Sequence, residues 1–287
     1  KKERERKWLL LERETISNLN HPFIARLVGT FRDSARLAMA MEYVGGGELF
    51  YILDECSPLP EPWAVFILAS VTLMLEHMHT RNFVYRDLKP ENLMVESSGF
   101  LKLIDFGMCR RLPPKDESCS TTIGTPEYTA PEVLRQSGYR QQIDWWALGA
   151  LLYESLHSYT PFTDAGSIND EAEILKQICR YGNGYTIPFS SQLSGAARSM
   201  CDGLLAYLPS ERFSAEDIRT HALCATMDFV ALVEKRYEPP HKPAVNSPFD
   251  TSHFVPDDDL CGAELLTQHV PLESGSGQMG LDWAAGF

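Results

Sequence analysis

The sequence has no long apolar run and no paired-cysteine pattern. In its 287 residues, no apolar segment approaches the roughly 18 residues that a membrane-spanning helix requires, so we expect no membrane span. The seven cysteines are odd in number and include no C-x-x-C pair, and the eight histidines show no metal-ligand spacing. These absences argue against a disulfide framework or a zinc site. They indicate reduced thiols in a cytoplasmic protein.

Two further absences concern charge and the start of the chain. Basic residues are in deficit, because 26 Lys and Arg face 39 Asp and Glu and give a net charge of −13. This balance argues against nucleic acid as a partner and favours basic partners. The chain has no initial Met and no signal peptide, so we expect Lys1 to be a cut end of a longer protein.

The chain is long enough to bury a full core, and hydrophobic periodicity predicts three helices in its first 156 residues. The first covers residues 3–19 and ends at Asn20-His21-Pro22, and the second covers 62–80. The third, at 144–156, is almost wholly apolar and should be buried all round, so its Asp144 needs partners, most simply the backbone of the loop at Asp87. Helical segments continue to about Leu232. Short or alternating apolar runs predict four strands, at 24–31, 37–43, 92–95 and 100–104.

Beyond residue 233 the composition changes. Proline becomes frequent, and Asp257-Asp258-Asp259 precedes a Ser-Gly stretch. Such a segment cannot pack a core of its own, so we expect an extended tail that lies over the domain and is held by aromatic side chains. The expected anchors are Phe249, Phe254, Trp283 and Phe287.

One stretch carries side chains that suit phosphoryl transfer. Asp87 is followed by Lys89 and Asn92, and Asp105 comes 13 residues after Asn92. The turn signal Ser97-Ser98-Gly99 predicts a hairpin that folds Asp105 back beside Asn92, so that two oxygen ligands for a hard cation share one face. Asp87 can orient a hydroxyl and Lys89 can neutralise a phosphate. Together these are the parts of a phosphoryl-transfer site.

The same stretch resembles the catalytic loop and the magnesium-binding loop of protein kinases, here Tyr85-Arg86-Asp87 and Asp105-Phe106-Gly107. Gly124-Thr125-Pro126-Glu127-Tyr128 and Ala130-Pro131-Glu132 resemble the peptide-docking segment and the closing motif of that family. The resemblance implies an α+β, protein kinase-like bilobal fold. It would have a mostly helical large lobe, an incomplete small β lobe and an extended C-terminal tail.

The resemblance also implies a division into three regions. Residues 1–43 would be a remnant of the small lobe with helix C and two strands, residues 44–232 the large lobe, and residues 233–287 the tail found in AGC kinases. Gly45-Gly46-Gly47 would be the hinge between the lobes.

By resemblance, each motif residue receives a role. Asp87, Lys89 and Thr125 would be catalytic, and Asn92 and Asp105 would hold Mg²⁺ against the phosphates of ATP. Glu12 stands where the glutamate of helix C belongs. The expected ATP-binding residues are Met41, Glu42, Val44, Glu48 and Phe254. The expected structural positions are Tyr85, Arg86, Phe106, Gly107, Glu132, Asp144 and Arg212, with Arg212 paired to Glu132.

Further motifs narrow the resemblance. Lys89 with Gly124-Thr125-Pro126-Glu127 is similar to serine/threonine kinases, and Tyr85 with the 144–149 stretch and the tail is similar to AGC kinases. Within that group, residues 247–254 and the aromatic end are most similar to cGMP-dependent protein kinases, with the catalytic subunit of cAMP-dependent kinase second. This implies regulatory cyclic-nucleotide-binding domains in the same parent chain.

The resemblance further implies a substrate class and a regulatory site. Glu48, Glu91 and Glu154 match the acidic residues by which basophilic kinases bind arginines upstream of the target Ser or Thr. Protein substrates with basic residues before Ser or Thr are therefore expected. Thr121 is the expected phosphorylation site, with Arg86 as the partner of its phosphate and with Ser120 and Thr122 as alternatives.

Two functional hypotheses follow. The glycine-rich loop and the strand lysine of kinases have no counterpart in the sequence, and we expect them upstream of Lys1. The parent protein would then be a serine/threonine kinase that transfers the γ-phosphate of ATP. The alternative is a catalytically incompetent fragment or pseudokinase that acts as a binding module. Intact Asp87, Lys89, Asn92 and Asp105 favour the kinase for the parent, while this chain alone should be weakly active, with residues 1–43 loosely held.

Overall fold

The computed structural model describes residues 2–32, 37–112, 118–121, 124–163, 167–168, 170–182, 185–247 and 249–254, without the side chains of residues 2–8, 32 and 37. Within these ranges the helices are α1 (Lys2–Ser17), α2 (Leu49–Cys56), α3 (Glu61–Thr80), α4 (Pro131–Leu134), α5 (Gln142–His157), α6 (Glu171–Tyr181), α7 (Gly195–Leu204), α8 (Ala215–Thr220) and α9 (Phe229–Val233). The strands are β1 (Leu27–Arg32), β2 (Leu37–Met41), β3 (Phe83–Val84), β4 (Leu93–Val95), β5 (Leu101–Leu103) and β6 (Arg110–Arg111). The predicted α+β class and the predicted helices are confirmed. Helix α2 is additional, since the sequence pattern predicted no element there.

The first part of the chain forms a helix and a two-stranded sheet. Helix α1 buries Ile16 in the core, and β1 pairs with β2 antiparallel. Val28 and Phe31 on β1 are 62% and 63% exposed, so this small sheet leaves apolar surface uncovered.

The predicted start of the first strand at Ile24 is wrong. Ile24 instead forms a parallel bridge with Leu103 of β5, and the Ala25 N–H donates to the Leu103 carbonyl at 2.9 Å. The segment that leads into β1 therefore pairs with the 93–103 hairpin, and β1 begins only at Leu27.

The large helical part is organised around α3 and α5. Both helices are buried on nearly all sides because their sequences are apolar all round. Trp146 of α5 is fully buried and stacks on Phe162 with ring centroids 5.5 Å apart. No helix among the described residues is long and apolar enough to cross a bilayer.

The β4–β5 hairpin carries the predicted site. Leu93 pairs with Leu103 and Val95 with Leu101, in antiparallel register. The Ile104 N–H donates to the Asn92 carbonyl at 3.0 Å, which extends the ladder by one bond beyond the strands. The predicted hairpin is confirmed, and it places Asp105 next to Asn92.

The tail runs from α9 along the hairpin and then along residues 42–48, which we call the hinge. A methyl group added at Gly46 would lie 2.5 Å from Pro243, so the tail and the hinge are in contact there. Farther on, the Tyr43 hydroxyl donates to the Asp250 carbonyl, and the Tyr43 and Phe254 rings lie 5.9 Å apart.

Two of the four expected tail anchors can be compared with the structure. Phe254 contacts Tyr43 as expected of an anchor. Phe249 is 87% exposed, so the prediction that it anchors the tail is wrong, because the described part of the chain leaves its ring uncovered. Trp283 and Phe287 lie outside the described residues.

Candidate active site

Asp144, at the start of α5, positions the catalytic loop. Its carboxylate accepts hydrogen bonds from the Tyr85 and Arg86 backbone N–H groups, both at 2.9 Å, and it contacts His79 Nε2 at 2.7 Å. Arg86 has φ +73°, a left-handed conformation that a non-glycine residue adopts only when its surroundings hold it there. The expected role of Asp144 as a backbone acceptor is confirmed.

Asp87, Lys89 and Thr125 form a compact cluster at the end of this loop. Lys89 Nζ lies 3.4 Å from Asp87 Oδ2 and donates to Thr125 Oγ1 at 3.2 Å, and Thr125 Oγ1 donates to Asp87 Oδ1 at 3.3 Å. A carboxylate, an ammonium and a hydroxyl thus converge where a substrate hydroxyl would enter. The structure brings together all three residues that were predicted to be catalytic.

Asn92 fixes the orientation of Asp87. Its amide nitrogen donates to the Asp87 carbonyl at 2.8 Å and to Asp87 Oδ2 at 3.0 Å. Pro90–Asn92 forms a 3₁₀ turn that places this buried amide under the loop. Since both bonds use the nitrogen, the amide oxygen of Asn92 is turned away from Asp87.

Asn92 and Asp105 carry oxygen donors of the kind that Mg²⁺ prefers. Asp105 has φ +53°, and its Oδ1 accepts the Gly107 N–H at 3.0 Å, which orients the carboxylate at the end of the hairpin that also carries Asn92. No group of three or more His, Cys, Asp or Glu side chains in the described part of the chain could hold a metal alone. Mg²⁺ usually takes one or two protein oxygens and fills its other positions with phosphates and water, so the donor types present match what this ion takes from a protein. The metal-binding role of the two residues stays a prediction.

The residues behind Asp105 belong to the core. The Tyr85 hydroxyl donates to the Ile104 carbonyl at 2.6 Å, and the Tyr85 and Phe106 rings meet edge to face at 5.9 Å. Glu12 of α1 points to the same place, because a methyl group added at Gly107 would lie 3.9 Å from Glu12 Oε2. Burial and the charge of Asp105 raise the pKa of Glu12.

Arg86 connects the catalytic loop to the segment around Thr121. Its Nε donates to the Met108 carbonyl at 2.6 Å, and its Nη1 donates to the Tyr139 hydroxyl at 3.0 Å. Tyr139 in turn donates to the Thr121 carbonyl at 2.9 Å. The Thr121 side chain is exposed, as is that of Ser120, while Thr122 lies outside the described residues.

The predicted ATP-binding residues follow one another along the hinge. Met41 ends β2 and packs on the core, and Val44 is buried. The Glu42 N–H donates to the Arg26 carbonyl at 2.9 Å, and Glu48 bridges to Met94 of β4. Phe254 reaches this region through its contact with Tyr43. Four of the five residues thus lie on one run of chain between 41 and 48, which Phe254 approaches through Tyr43. Their binding role stays a prediction.

A cleft beside the catalytic cluster is lined by three glutamates, Glu91, Glu127 and Glu154, and we call it the acidic cleft. Thr125 and Tyr128 also line it, so it opens next to Asp87 and Lys89. Among the described residues, no hydrogen-bond partner reaches the buried atoms Glu91 Oε2 and Glu127 Oε2. Buried carboxylate oxygens without partners are expected where a ligand supplies the donors.

Burial and the neighbouring carboxylates disfavour the charged form of Glu154 in the acidic cleft. The pKa of Glu154 is raised to about 7, mainly by burial and also by the charges of Glu91 and Glu127, against a hydrogen bond from Tyr128 that lowers it. Burial and Glu91 also raise the pKa of Glu48, the third glutamate predicted from sequence. A cation bound in the cleft would relieve this repulsion.

The motif that closes the docking segment is held by a buried ion pair. Arg212 Nη1 contacts Glu132 Oε1 at 2.7 Å and Nη2 contacts Oε2 at 3.2 Å, a two-pronged geometry. Arg212 also donates to the carbonyls of Ala206 and Gln142. The predicted pairing of Glu132 with Arg212 is confirmed.

Sequence reasoning missed Glu127 and Tyr128 as site residues. Both belong to the predicted docking segment, and Pro126–Tyr128 is a 3₁₀ turn that directs them into the acidic cleft. An acidic residue directly after a proline of a docking segment was the available signal. The direction in which its side chain points depends on the 3₁₀ turn, and sequence spacing alone does not predict that turn.

Known proteins similar to this chain are protein kinases, in agreement with the residues that form the site. The profile of the protein kinase domain matches residues 1–224. Over 261 residues the chain is 36% identical to serine/threonine-protein kinase Sgk1 of Oryctolagus cuniculus, which covers 89% of this chain and 59% of that protein. The human (Homo sapiens) Sgk1 is 35% identical with the same coverage, and Sgk2 of Rattus norvegicus is 36% identical with 69% of its length covered. The chain thus spans about three fifths of the length of the Sgk1 proteins that it matches.

Proposed function

The chain belongs to the protein kinase family, as an AGC-type serine/threonine kinase domain, and on that premise we propose that the protein transfers the γ-phosphate of ATP to Ser or Thr side chains of protein substrates. One observation carries the proposal. Asp87, Lys89 and Thr125 lie within 3.4 Å of one another, and Asp105 and Asn92 lie beside them on the same hairpin.

The geometry supports a separate task for each group. The Asp87 carboxylate accepts the hydrogen bond of the substrate hydroxyl and holds it in line for attack. The Lys89 ammonium neutralises the phosphoryl group as charge develops on it, and Asn92 keeps Asp87 oriented. Asn92 and Asp105 would hold Mg²⁺, which neutralises the phosphates of ATP when bound. Most of the acceleration comes from positioning and electrostatics.

The acidic cleft supports a substrate class. Arginine side chains before the target Ser or Thr would place donors against Glu91, Glu127 and Glu154. The buried Oε2 atoms of Glu91 and Glu127 have no partner among the described residues. Hydrogen bonds between a guanidinium and a carboxylate are strong, at about 1.5–3 kcal/mol each, when water is excluded. The net charge of −13 favours basic substrates as well.

Regulation by cyclic nucleotides is a separate proposal, and the Sgk1 and Sgk2 relatives do not support it. Their similarity supports the AGC group, and it contains nothing specific to cGMP-dependent kinases. Calorimetry of the full-length protein with cGMP and cAMP would test it, and binding of neither nucleotide would remove it.

A second candidate function, a binding module without transfer activity, is favoured by Glu12. Burial and the charge of Asp105 both raise the pKa of Glu12, and no described cation counters them. Two carboxylates that face each other disfavour a nucleotide, so the pocket could hold ATP weakly or without productive alignment.

A phosphotransfer assay separates the two candidates. The full-length protein is incubated with Mg-ATP and an Arg-Arg-x-Ser peptide, and the Asp87→Asn variant serves as the blank. We expect turnover of about 1–100 s⁻¹, at least about 100-fold above the blank. Glu216→Gln changes an exposed carboxylate of α8 that is not among the site residues, and this matched control should behave as wild type. Nucleotide binding by calorimetry with equal, negligible turnover in both proteins would support the binding module instead.

A further inference from the structure

Lys102 is a buried lysine in the middle of β5 that takes no part in the chemistry described above. The residue is only 8% exposed, and its Nζ forms an ion pair with Glu42 Oε1 of the hinge. A second carboxylate, Glu96 Oε1, lies 3.6 Å away. Lysine is almost never fully buried unless it is paired, so this placement depends on the two glutamates.

The ion pairs continue from Lys102 to the tail. Lys235 Nζ donates to both carboxylate oxygens of Glu96, at 2.8 and 2.7 Å. Lys235 lies two residues after the end of α9 and has φ +56°, so it marks the point where the tail leaves the last helix. Glu42, Lys102, Glu96 and Lys235 alternate in sign and sum to zero, and we call them the hinge–tail network.

The backbone places the ends of this network side by side. The Glu42 N–H donates to the Arg26 carbonyl, and the next residue back, Ala25, donates to Leu103 of β5, both at 2.9 Å. The hinge, the segment before β1 and the hairpin therefore lie next to one another. The tail reaches the same hinge directly, because the Tyr43 hydroxyl donates to the Asp250 carbonyl.

From this geometry we propose that Lys102 is a positioning residue for the nucleotide pocket. Lys102 holds the hinge in place through Glu42, and it couples the hinge to the tail through Glu96 and Lys235. The inference rests on the proposed function, since it takes the hinge to be the adenine-binding segment. Lys102 acts on the nucleotide through Glu42, whose backbone continues into Val44. A network that joins the hairpin, the hinge and the tail restricts the hinge before the nucleotide arrives, and such pre-organisation increases affinity.

Substitution of Lys102 by Met keeps much of the side-chain length and removes its charge. We expect Lys102→Met to raise the KM for ATP about 5- to 10-fold, while kcat and the KM for the peptide change by less than about 2-fold. Amide hydrogen exchange should become faster in residues 42–48 and 236–247 together. Lys102→Arg should restore the KM for ATP, because it keeps the charge between the two glutamates.

Two further variants act as control and backup. Lys176→Met removes an exposed lysine of α6 that pairs with Glu173 at 2.9 Å, and it should leave both readouts unchanged. Glu42→Gln leaves Lys102 with Glu96 and tests the same link if Lys102→Met does not fold. The double variant of Glu42 and Lys102 should be no worse than the poorer single variant, since both remove one interaction.

The outcomes separate this inference from the proposed function. A KM for ATP within about 2-fold of wild type in both Lys102→Met and Glu42→Gln would overturn the positioning role, even if stability falls. If the wild-type protein transfers no phosphate, the proposed function fails. The affinity for ATP measured by calorimetry then replaces KM, and hydrogen exchange still tests the link between hinge and tail.

Discussion

The hydroxyl of Tyr128 donates a hydrogen bond of 2.5 Å to Glu154 Oε2 within the acidic cleft. This bond stabilises the ionised form of a carboxylate whose pKa burial raises to about 7. Glu154 therefore changes its charge near neutral pH in the free protein. The acidic cleft should bind arginine well only above that pH.

We expect the affinity for an Arg-Arg-x-Ser peptide to fall with acidification. If only the ionised form of Glu154 binds arginine, kcat/KM should decrease about tenfold between pH 8 and pH 6, because the ionised fraction falls by that factor around a pKa of about 7. Arginine keeps its charge over this range. A pH series of initial rates measures the effect.

Tyr128→Phe provides the internal check on this pH dependence. Loss of the hydroxyl removes the interaction that lowers the pKa of Glu154, so the midpoint of the profile should move to higher pH. A midpoint unchanged in Tyr128→Phe would show that another group controls the profile.

Replacement of the carboxylate itself should separate function from stability. Glu154→Gln should raise the KM for the Arg-Arg-x-Ser peptide about tenfold at pH 8, because one strong carboxylate–guanidinium interaction is lost. Glu216→Gln in exposed α8 is the matched control. If replacement of Glu48, Glu91 and Glu154 together leaves the preference for arginine unchanged in a peptide array, the selectivity arises elsewhere.

The same variant should be more stable than wild type at pH 8. Because the pKa of Glu154 is raised in the folded state, the stabilisation of its protonated form is lost as pH rises through about 7. Glutamine avoids this loss, so Glu154→Gln should gain on the order of 1–3 kcal/mol in the free energy of unfolding at pH 8 and less at pH 5. Urea unfolding at the two pH values measures it, and an equal difference at both would contradict the account.

Thr121 should carry a regulatory phosphate. Its side chain is exposed, and Arg86 lies close by, since both contact Tyr139. A phosphate at Thr121 adds nearly two negative charges that the Arg86 guanidinium can bind, which would order the segment. Phosphopeptide mapping of the active protein should find Thr121 modified, and Thr121→Val should lower kcat/KM while Ser120→Ala does not. An active protein with phosphate only on Ser120 or Thr122 would contradict this assignment.

The buried pair of Glu132 and Arg212 should matter for folding. Glu132→Gln leaves the guanidinium buried without its counter-charge, which we expect to cost about 3–5 kcal/mol of unfolding free energy. Glu234→Gln breaks an exposed pair with Arg236 and should cost no more than about 1 kcal/mol. Urea unfolding of the two variants gives the comparison, and similar losses in both would refute the importance of burial.

Much of the catalytic loop could be predicted because its chemistry is local in sequence. Asp87, Lys89 and Asn92 lie within six consecutive residues, and a short hairpin brings Asp105 back towards them, so spacing and turn signals are sufficient. Asp144 was identified as a charge in an apolar helix, and its partners followed from the need to satisfy it.

Other features depend on contacts between distant segments. The ion pair of Lys102 with Glu42 joins positions 60 residues apart, and the contact of Tyr43 with Asp250 joins positions 207 apart. Hydrophobic periodicity does not predict contacts between segments that are so far apart in the sequence. Phe249 failed as an anchor for a related reason, since an apolar side chain in a tail is buried only if a surface happens to lie opposite.

The most direct measurement of the central claim is the rate of phosphate incorporation into three matched peptides by the full-length protein with Mg-ATP. The peptides are Arg-Arg-x-Ser, Arg-Arg-x-Tyr and Asp-Asp-x-Ser, and mass spectrometry locates the phosphate. The account predicts a kcat/KM for the first peptide at least about 100-fold above the other two, and loss of that activity in Asp87→Asn. Equal incorporation into all three peptides, or incorporation that persists in Asp87→Asn, would contradict it.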